Sequence, residues 1–233
     1  MVPAYNEAAR LPITLPKLVD FCGRFQEAEI LIVDDGSTDK TAAFVEGFAR
    51  QHPFLRLVRN PGNRGKGYSV RHGMSKATGD WILSTDADLS SPIDEVTTLW
   101  AAADREHAPI AIGSRALDRS LVGVHQAALR EWSGRVFNIV MRLATGLPFL
   151  DTQCGFKLFR RDAAEVIFPR QRLDGFGFDV EDLLIAHIHN FKVVEVPVHW
   201  DNVEGTKVSA FNGARAFWDL ALVRWNQILG RYK

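Results

Sequence analysis

The chain has 233 residues, 46% of them apolar and 24% charged, with 28 Lys plus Arg balanced by 28 Asp plus Glu. This length supports one domain with a sizeable core, and the composition excludes a disordered, collagen-like or coiled-coil chain. Zero net charge argues against nucleic acid as the main partner, because such proteins carry a basic excess.

Two cysteines, Cys22 and Cys154, are too few for a disulfide framework or a cysteine-only zinc site and suit a reduced, cytosolic setting. No apolar run reaches the roughly 18–20 residues that span a bilayer. The opening MVPAYNEAAR lacks a signal-peptide pattern. The sequence therefore predicts a chain that does not insert in a membrane by itself.

In chain order, residues 28–33 (AEILIV) read as a buried parallel strand ended by Asp34-Asp35-Gly36. Ser37 or Thr38 would cap a helix to about Arg50, and Leu55 to Arg59 is a second strand. The stretch 60–67 (NPGNRGKG) is a loop, followed by a helix over about 68–77. Trp81 to Thr85 is a third strand, ended by Asp86-Ala87-Asp88. Pro92 starts a helix to about Ala103, and Ile110 to Ser114 is a fourth strand. Residues 130–144 form an amphipathic helix, 193–198 a strand broken by Pro197, and 210–229 a long final helix. Strands alternating with helices predict an α/β fold with a mostly parallel sheet, which binds ligands beyond the carboxyl ends of its strands. The acidic pairs fall at such ends.

Asp86 and Asp88 suit a hard divalent cation, Mg²⁺ or Mn²⁺, shared with substrate phosphates, or else a solvated turn. Asp34-Asp35 repeats the pattern on a second strand, and crowded carboxylates need a cation, a donor or water to offset repulsion. Gly65-Lys66-Gly67 brings bare backbone and a cation to a helix start, where phosphate is favoured. Two phosphate motifs nevertheless fail. Gly67 stands where a P-loop needs Ser or Thr, and Asn60 where it needs Gly; Val70 breaks the dinucleotide pattern. An ATPase and an NAD enzyme therefore lose ground. Asp179, Glu181 and Asp182 follow a glycine-rich stretch and, taken alone, read as acids placed at a helix start.

Taken together and in order, these segments resemble the family 2 inverting glycosyltransferases with the GT-A fold, most of all the dolichyl-phosphate β-glucosyltransferase branch. The resemblance rests on residues 2–7 (VPAYNE), 33–39 (VDDGSTD), 63–67 (NRGKG), 71–74 (RHGM), 85–89 (TDADL), 113–116 (GSRA), 151–159 (DTQCGFKLF) and 178–181 (FDVE). It implies a Rossmann-like, three-layer GT-A domain spanning 1–233. Residues 1–116 would be the nucleotide-sugar half, 117–209 the acceptor half and 210–233 a C-terminal amphipathic helix.

The resemblance also implies roles. Pro3, Ala4, Tyr5 and Glu7, with Asp35, would line the base and ribose site. Asp86 would contact the nucleotide-sugar and Asp88 would ligate the metal. Lys66 and Arg115 would meet the diphosphate. Arg130 and Lys207 would meet phosphate, and Gln153, Asp179 and Glu181 would face sugar and acceptor. Ser90 stands where mannosyl-transferring relatives carry a Gln, and the chain starts at the first motif, where eukaryotic members begin with a spanning segment.

The implied reaction moves a hexose, glucose from UDP-glucose, to a dolichyl or polyprenyl phosphate. That acceptor is already ionised and needs little base. A saccharide acceptor would need one, with Asp179 or Glu181 as candidates. GDP-mannose as donor, a nucleotidyltransferase and a non-enzymatic nucleotide-sugar sensor stay open as alternatives. The two amphipathic helices could lie on the cytoplasmic face of an anionic membrane, pack on the sheet, or pair two copies of the chain.

Overall fold

The computed structural model describes residues 1–124, 128–203 and 211–233, with side chains for all of these except 128–135, 137 and 211–216. Strand β1 (Val2–Ala4) pairs in parallel with β2 (Ile30–Asp34), which pairs in parallel with β3 (Leu55–Arg59). A second sheet has the order β4 (Trp81–Ser84), β6 (Lys157–Arg160), β5 (Ile110–Ser114), β7 (Val193–Pro197). Strand β6 is antiparallel to β4 and β5, while β5 and β7 are parallel. The two sheets abut at β1 and β4. The Met1 backbone nitrogen donates to the Leu83 carbonyl (2.6 Å), and Thr85 N–H donates to the Met1 carbonyl (3.2 Å).

This topology gathers the chemistry at one edge. Strands β1 and β2 end together, since Asp35 N–H donates to the Ala4 carbonyl (2.8 Å). Because β6 runs backwards, its start at Lys157 lies opposite Ser84 and Ile112, beside the ends of β4 and β5. The turn leading into it, Cys154–Phe156, therefore lies beside Asp86.

Helix α1 (Leu11–Cys22) is absent from the sequence reading. Leu11, Leu15, Leu18 and Phe21 form its buried stripe, but Pro12 and Pro16 obscure it. Pro12, in the first turn, costs little, since those N–H groups lack partners anyway, whereas Pro16 lies inside the helix and costs about 3 kcal/mol. Fully burying Leu11 and Leu15 is worth about 1.5–3 kcal/mol each, enough to override the prolines.

Helix α2 (Thr41–Ala49) starts later than its expected Ser37/Thr38 cap. Ser37 Oγ instead accepts from Asn6 N–H (2.9 Å), and Thr38 N–H donates to Asn6 Oδ1 (2.8 Å), tying this turn to the β1–α1 loop. Helix α3 (Lys66–Lys76) starts at the loop lysine itself. Pro92 opens a 3₁₀ turn (Ile93–Glu95) before α4 (Val96–Arg105). The later helices are α5 (Ala128–Thr145), α6 (Arg161–Ile167), α7 (Phe178–Ile188) and α8 (Phe211–Ile228). Among the described residues, no helix is long and apolar enough to cross a membrane.

Candidate active site

Asp86 leaves the end of β4 and pairs with Lys66 at the start of α3, Nζ to Oδ1 at 2.6 Å. Burial alone would raise the Asp86 carboxyl, but Lys66, Lys157 and Arg115 outweigh it and hold it below its usual range. Burial alone would lower Lys66, but Asp86, Asp179 and Asp88 hold it up. Gly155 packs against the Asp86 carboxylate so closely that any side chain there would collide with it. This explains a glycine in the turn before β6.

Asp88 is half-buried, and its Oδ1 accepts from Ser90 N–H (3.0 Å). Among the described residues its other oxygen makes no hydrogen bond or ion pair, and no group of three His, Cys, Asp or Glu could hold a metal. One free carboxylate oxygen beside Asp86 suits a hard cation that takes its other ligands from phosphate and water.

Two further ion pairs lie behind this one. The Lys157 ammonium, buried, donates to Asp179 Oδ1 and to the Cys154 carbonyl (2.6 Å). Asp179 sits in the first turn of α7, where the helix dipole favours an anion. Arg115, just past β5, grips the buried Asp151 through Nε (2.7 Å), Nη2 (2.8 Å) and its own backbone N–H (3.0 Å). Burial alone would lower Arg115, but Asp151 raises it; Asp151 in turn lies below its usual range, Arg115 outweighing the burial that would raise it. Arg115 also stacks on Trp200, 5.4 Å from the ring centre. Three cations and three carboxylates thus alternate around one edge.

Several of the expected site residues are engaged by partners within the chain. Asp35 is 4% exposed, and its carboxylate accepts from Asn60 Nδ2 (2.7 Å), Arg64 N–H (2.9 Å) and Gly65 N–H (2.8 Å). It shapes the 60–67 loop and so places Lys66. Gly65 has φ of 107°, a conformation that favours glycine. Glu181 is fully buried, accepting from Arg172 N–H (3.0 Å), Leu173 N–H (2.8 Å) and Tyr232 Oη (2.6 Å). It braces the α7 region against the C-terminal segment. Arg115 has Nε and Nη2 engaged by Asp151.

Of the β1 group, Ala4 is buried and Glu7 nearly so, its two oxygens held by Arg10 Nη1 (3.1 and 3.0 Å). Pro3 is half-buried, and Tyr5 is the exposed member. Gln153 is half-buried, its N–H donating to Asp151 Oδ1 (3.3 Å). Lys207 and the Arg130 side chain lie outside the described residues. The sequence reading gives no role to Asp151, Lys157 or Trp200. The first two stand inside the 151–159 motif, and their alternating charge was the available signal.

The α/β architecture is that of the GT-A glycosyltransferases. The glucosyl-3-phosphoglycerate synthase of Mycobacterium tuberculosis, solved with Mn²⁺ and UDP-glucose, superposes with a TM-score of 0.67 at 18% identity, covering 96% of this chain and 77% of that one. At that identity the likeness concerns the fold. Residues 1–168 match the family model described as glycosyl transferase family 2, and the chain belongs to that family.

Among curated relatives, a dolichyl-phosphate β-glucosyltransferase of Trichomonas vaginalis is 37% identical over 220 residues. The match covers 89% of this chain and 65% of that protein's length. The enzymes of the same name from Saccharomyces cerevisiae and Homo sapiens are 32% and 30% identical over all of this chain, which covers 75% and 76% of their lengths.

Proposed function

We propose that this chain is the catalytic domain of a dolichyl-phosphate β-glucosyltransferase, moving glucose from UDP-glucose to a polyprenyl phosphate with inversion. The observation that carries the reading is the agreement of its curated relatives on this activity across nearly the whole chain. The carboxyl edge gives it a chemistry. Residues 1–116 would hold the donor and 117–209 the acceptor.

In this mechanism the acceptor phosphate supplies its own nucleophile, since the second pKa of a phosphate monoester is about 6. The state of the edge carboxylates supports that choice over a hydroxyl acceptor. Asp179 Oδ1 already accepts from the Lys157 ammonium, and Glu181 is saturated. The chain's own tasks are then to orient the reactants and to offset charge on the departing diphosphate. Lys66, at the start of α3, exchanges its bond to Asp86 for the diphosphate. Asp86 turns toward the donor sugar. Asp88 would hold Mg²⁺ or Mn²⁺, which when bound supplies further electrostatic stabilisation of the leaving group.

The lipid acceptor accounts for an exposed apolar face. Helices α5 and α8 pack together. They present Ile139 (59% exposed), Leu143 (82%), Trp218 (66%), Trp225 (57%) and Ile228 (69%). A face of this kind suits an interfacial position, with the Trp rings at headgroup depth. The two free thiols suit the cytoplasmic face of that membrane.

Incubation with labelled UDP-glucose and polyprenyl phosphate in Mg²⁺ or Mn²⁺, followed by lipid extraction, tests the reading. Label should enter the organic phase. Transfer from GDP-mannose alone, or label found only in water-soluble saccharide, would replace the donor or the acceptor in this account.

A further inference from the structure

Beside Asp86 lies a recess that neither the diphosphate nor the metal assignment uses. Three separate segments wall it: Thr85, Ser90 and Ser91 after β4, Gly155 before β6, and Trp200 after β7. Its volume is about 10 Å³, the space of one water-sized group. Ser91 is 4% exposed, and its Oγ has no hydrogen-bond partner among the described residues. A buried hydroxyl without a partner costs stability, a cost that a bound polar group would offset.

The walls are fixed before any ligand arrives. Asp201 N–H donates to the Ser90 carbonyl (2.8 Å), and Trp200 N–H to the Leu121 carbonyl (3.1 Å). Arg115, itself held by Asp151, stacks on the Trp200 ring.

We propose that Ser91 is a specificity-determining residue that takes one hydroxyl of the transferred hexose into this recess, between its own Oγ and the Asp86 carboxylate. The chemistry is complementary. An ionised carboxylate only accepts, a serine hydroxyl both donates and accepts, and a sugar hydroxyl can donate to the first while accepting from the second. A donor lacking that hydroxyl leaves two buried groups unpaired, which is how a site of this kind discriminates strongly. The inference rests on the hexose-donor reading above.

The test compares wild type with Ser91→Ala on UDP-glucose and on UDP-linked 2-, 3-, 4- and 6-deoxyglucose, with UDP affinity and Tm measured alongside. Ser91→Ala should keep or raise the Tm, because it removes an unpaired buried group. It should lower kcat/KM for UDP-glucose about tenfold or more and leave UDP affinity unchanged. One deoxy donor should abolish the difference between the two proteins. Equal kcat/KM on every donor would mean that the recess holds only a structural water, and the proposal fails. An equal loss of UDP affinity would move the contact to the ribose, which also overturns it. If wild type uses no UDP-hexose at all, the functional reading has failed instead, independently of Ser91.

Discussion

Asp151→Ala removes the carboxylate that holds Arg115 while leaving the guanidinium in place. Removing one partner of a buried pair costs about 3–5 kcal/mol. Arg115 keeps 30% of its side chain exposed, so the stranded charge can turn toward water. The low end therefore applies, about 3 kcal/mol. At about 2–4 °C per kcal/mol for a domain of this size, Tm should fall by about 6–12 °C.

The double variant Arg115→Met/Asp151→Leu removes both charges and should recover about half of that loss or more, since an apolar pair of similar volume is often neutral. Thermal unfolding followed by circular dichroism at neutral pH reads both. The pH dependence has a fixed sign. The folded-state pKa of Asp151 is depressed, so its contribution is complete above the ordinary Asp range and is lost as pH falls through the folded value. Wild type and Asp151→Ala should therefore converge in strong acid. A Tm drop below about 3 °C, or a double variant no better than the single, would refute the claim that this pair holds the wall of the site.

Asp182 gives the opposite sign. It is 2% exposed, its Oδ1 lacks a partner, and burial with Glu181 and Asp179 nearby raises its pKa well above the usual range. Its folded form keeps a proton that the unfolded form loses, so wild-type stability declines as pH rises toward the folded value. Asp182→Asn should raise Tm, with a gain that grows with pH; a gain that shrinks with pH would contradict this. For the apolar face, Trp218→Glu/Trp225→Glu should lose co-flotation with anionic vesicles while keeping transfer to a short-chain, soluble acceptor phosphate. Unchanged flotation would assign the face to something other than a membrane surface.

Much of the fold is legible in the sequence because its parallel strands are short apolar runs ended by acids. Leu55–Arg59 and Ile110–Ser114 match their predicted limits. Strand β6 is hard to see, since KLFR is four residues with a charge at each end and passes directly into α6. Lys157 reads as a polar punctuation mark. It is buried only because Asp179, brought from 22 residues away by α7, meets it.

The site is legible as a set of residue types but not as a set of partners. Asp35 and Asp86 look alike in sequence, each following a buried strand. Their difference comes from the 60–67 loop, which folds three donors onto Asp35 and leaves Asp86 to the Lys66 ammonium. Glu181 is buried, as is most of α7, and its carboxylate is closed over by the nearby 172–173 backbone and by Tyr232, 51 residues away in sequence.

Lipid-extractable transfer from labelled UDP-glucose to polyprenyl phosphate, measured for wild type and Asp88→Ala with and without divalent cation, tests the central claim most directly. Wild type with Mg²⁺ or Mn²⁺ should label the lipid. Asp88→Ala, and wild type stripped of metal, should both lose transfer while the variant's Tm stays within about 2 °C, about the change expected for a partly exposed side chain with one free oxygen. Transfer at the wild-type rate by Asp88→Ala, or by metal-free enzyme, would contradict the account.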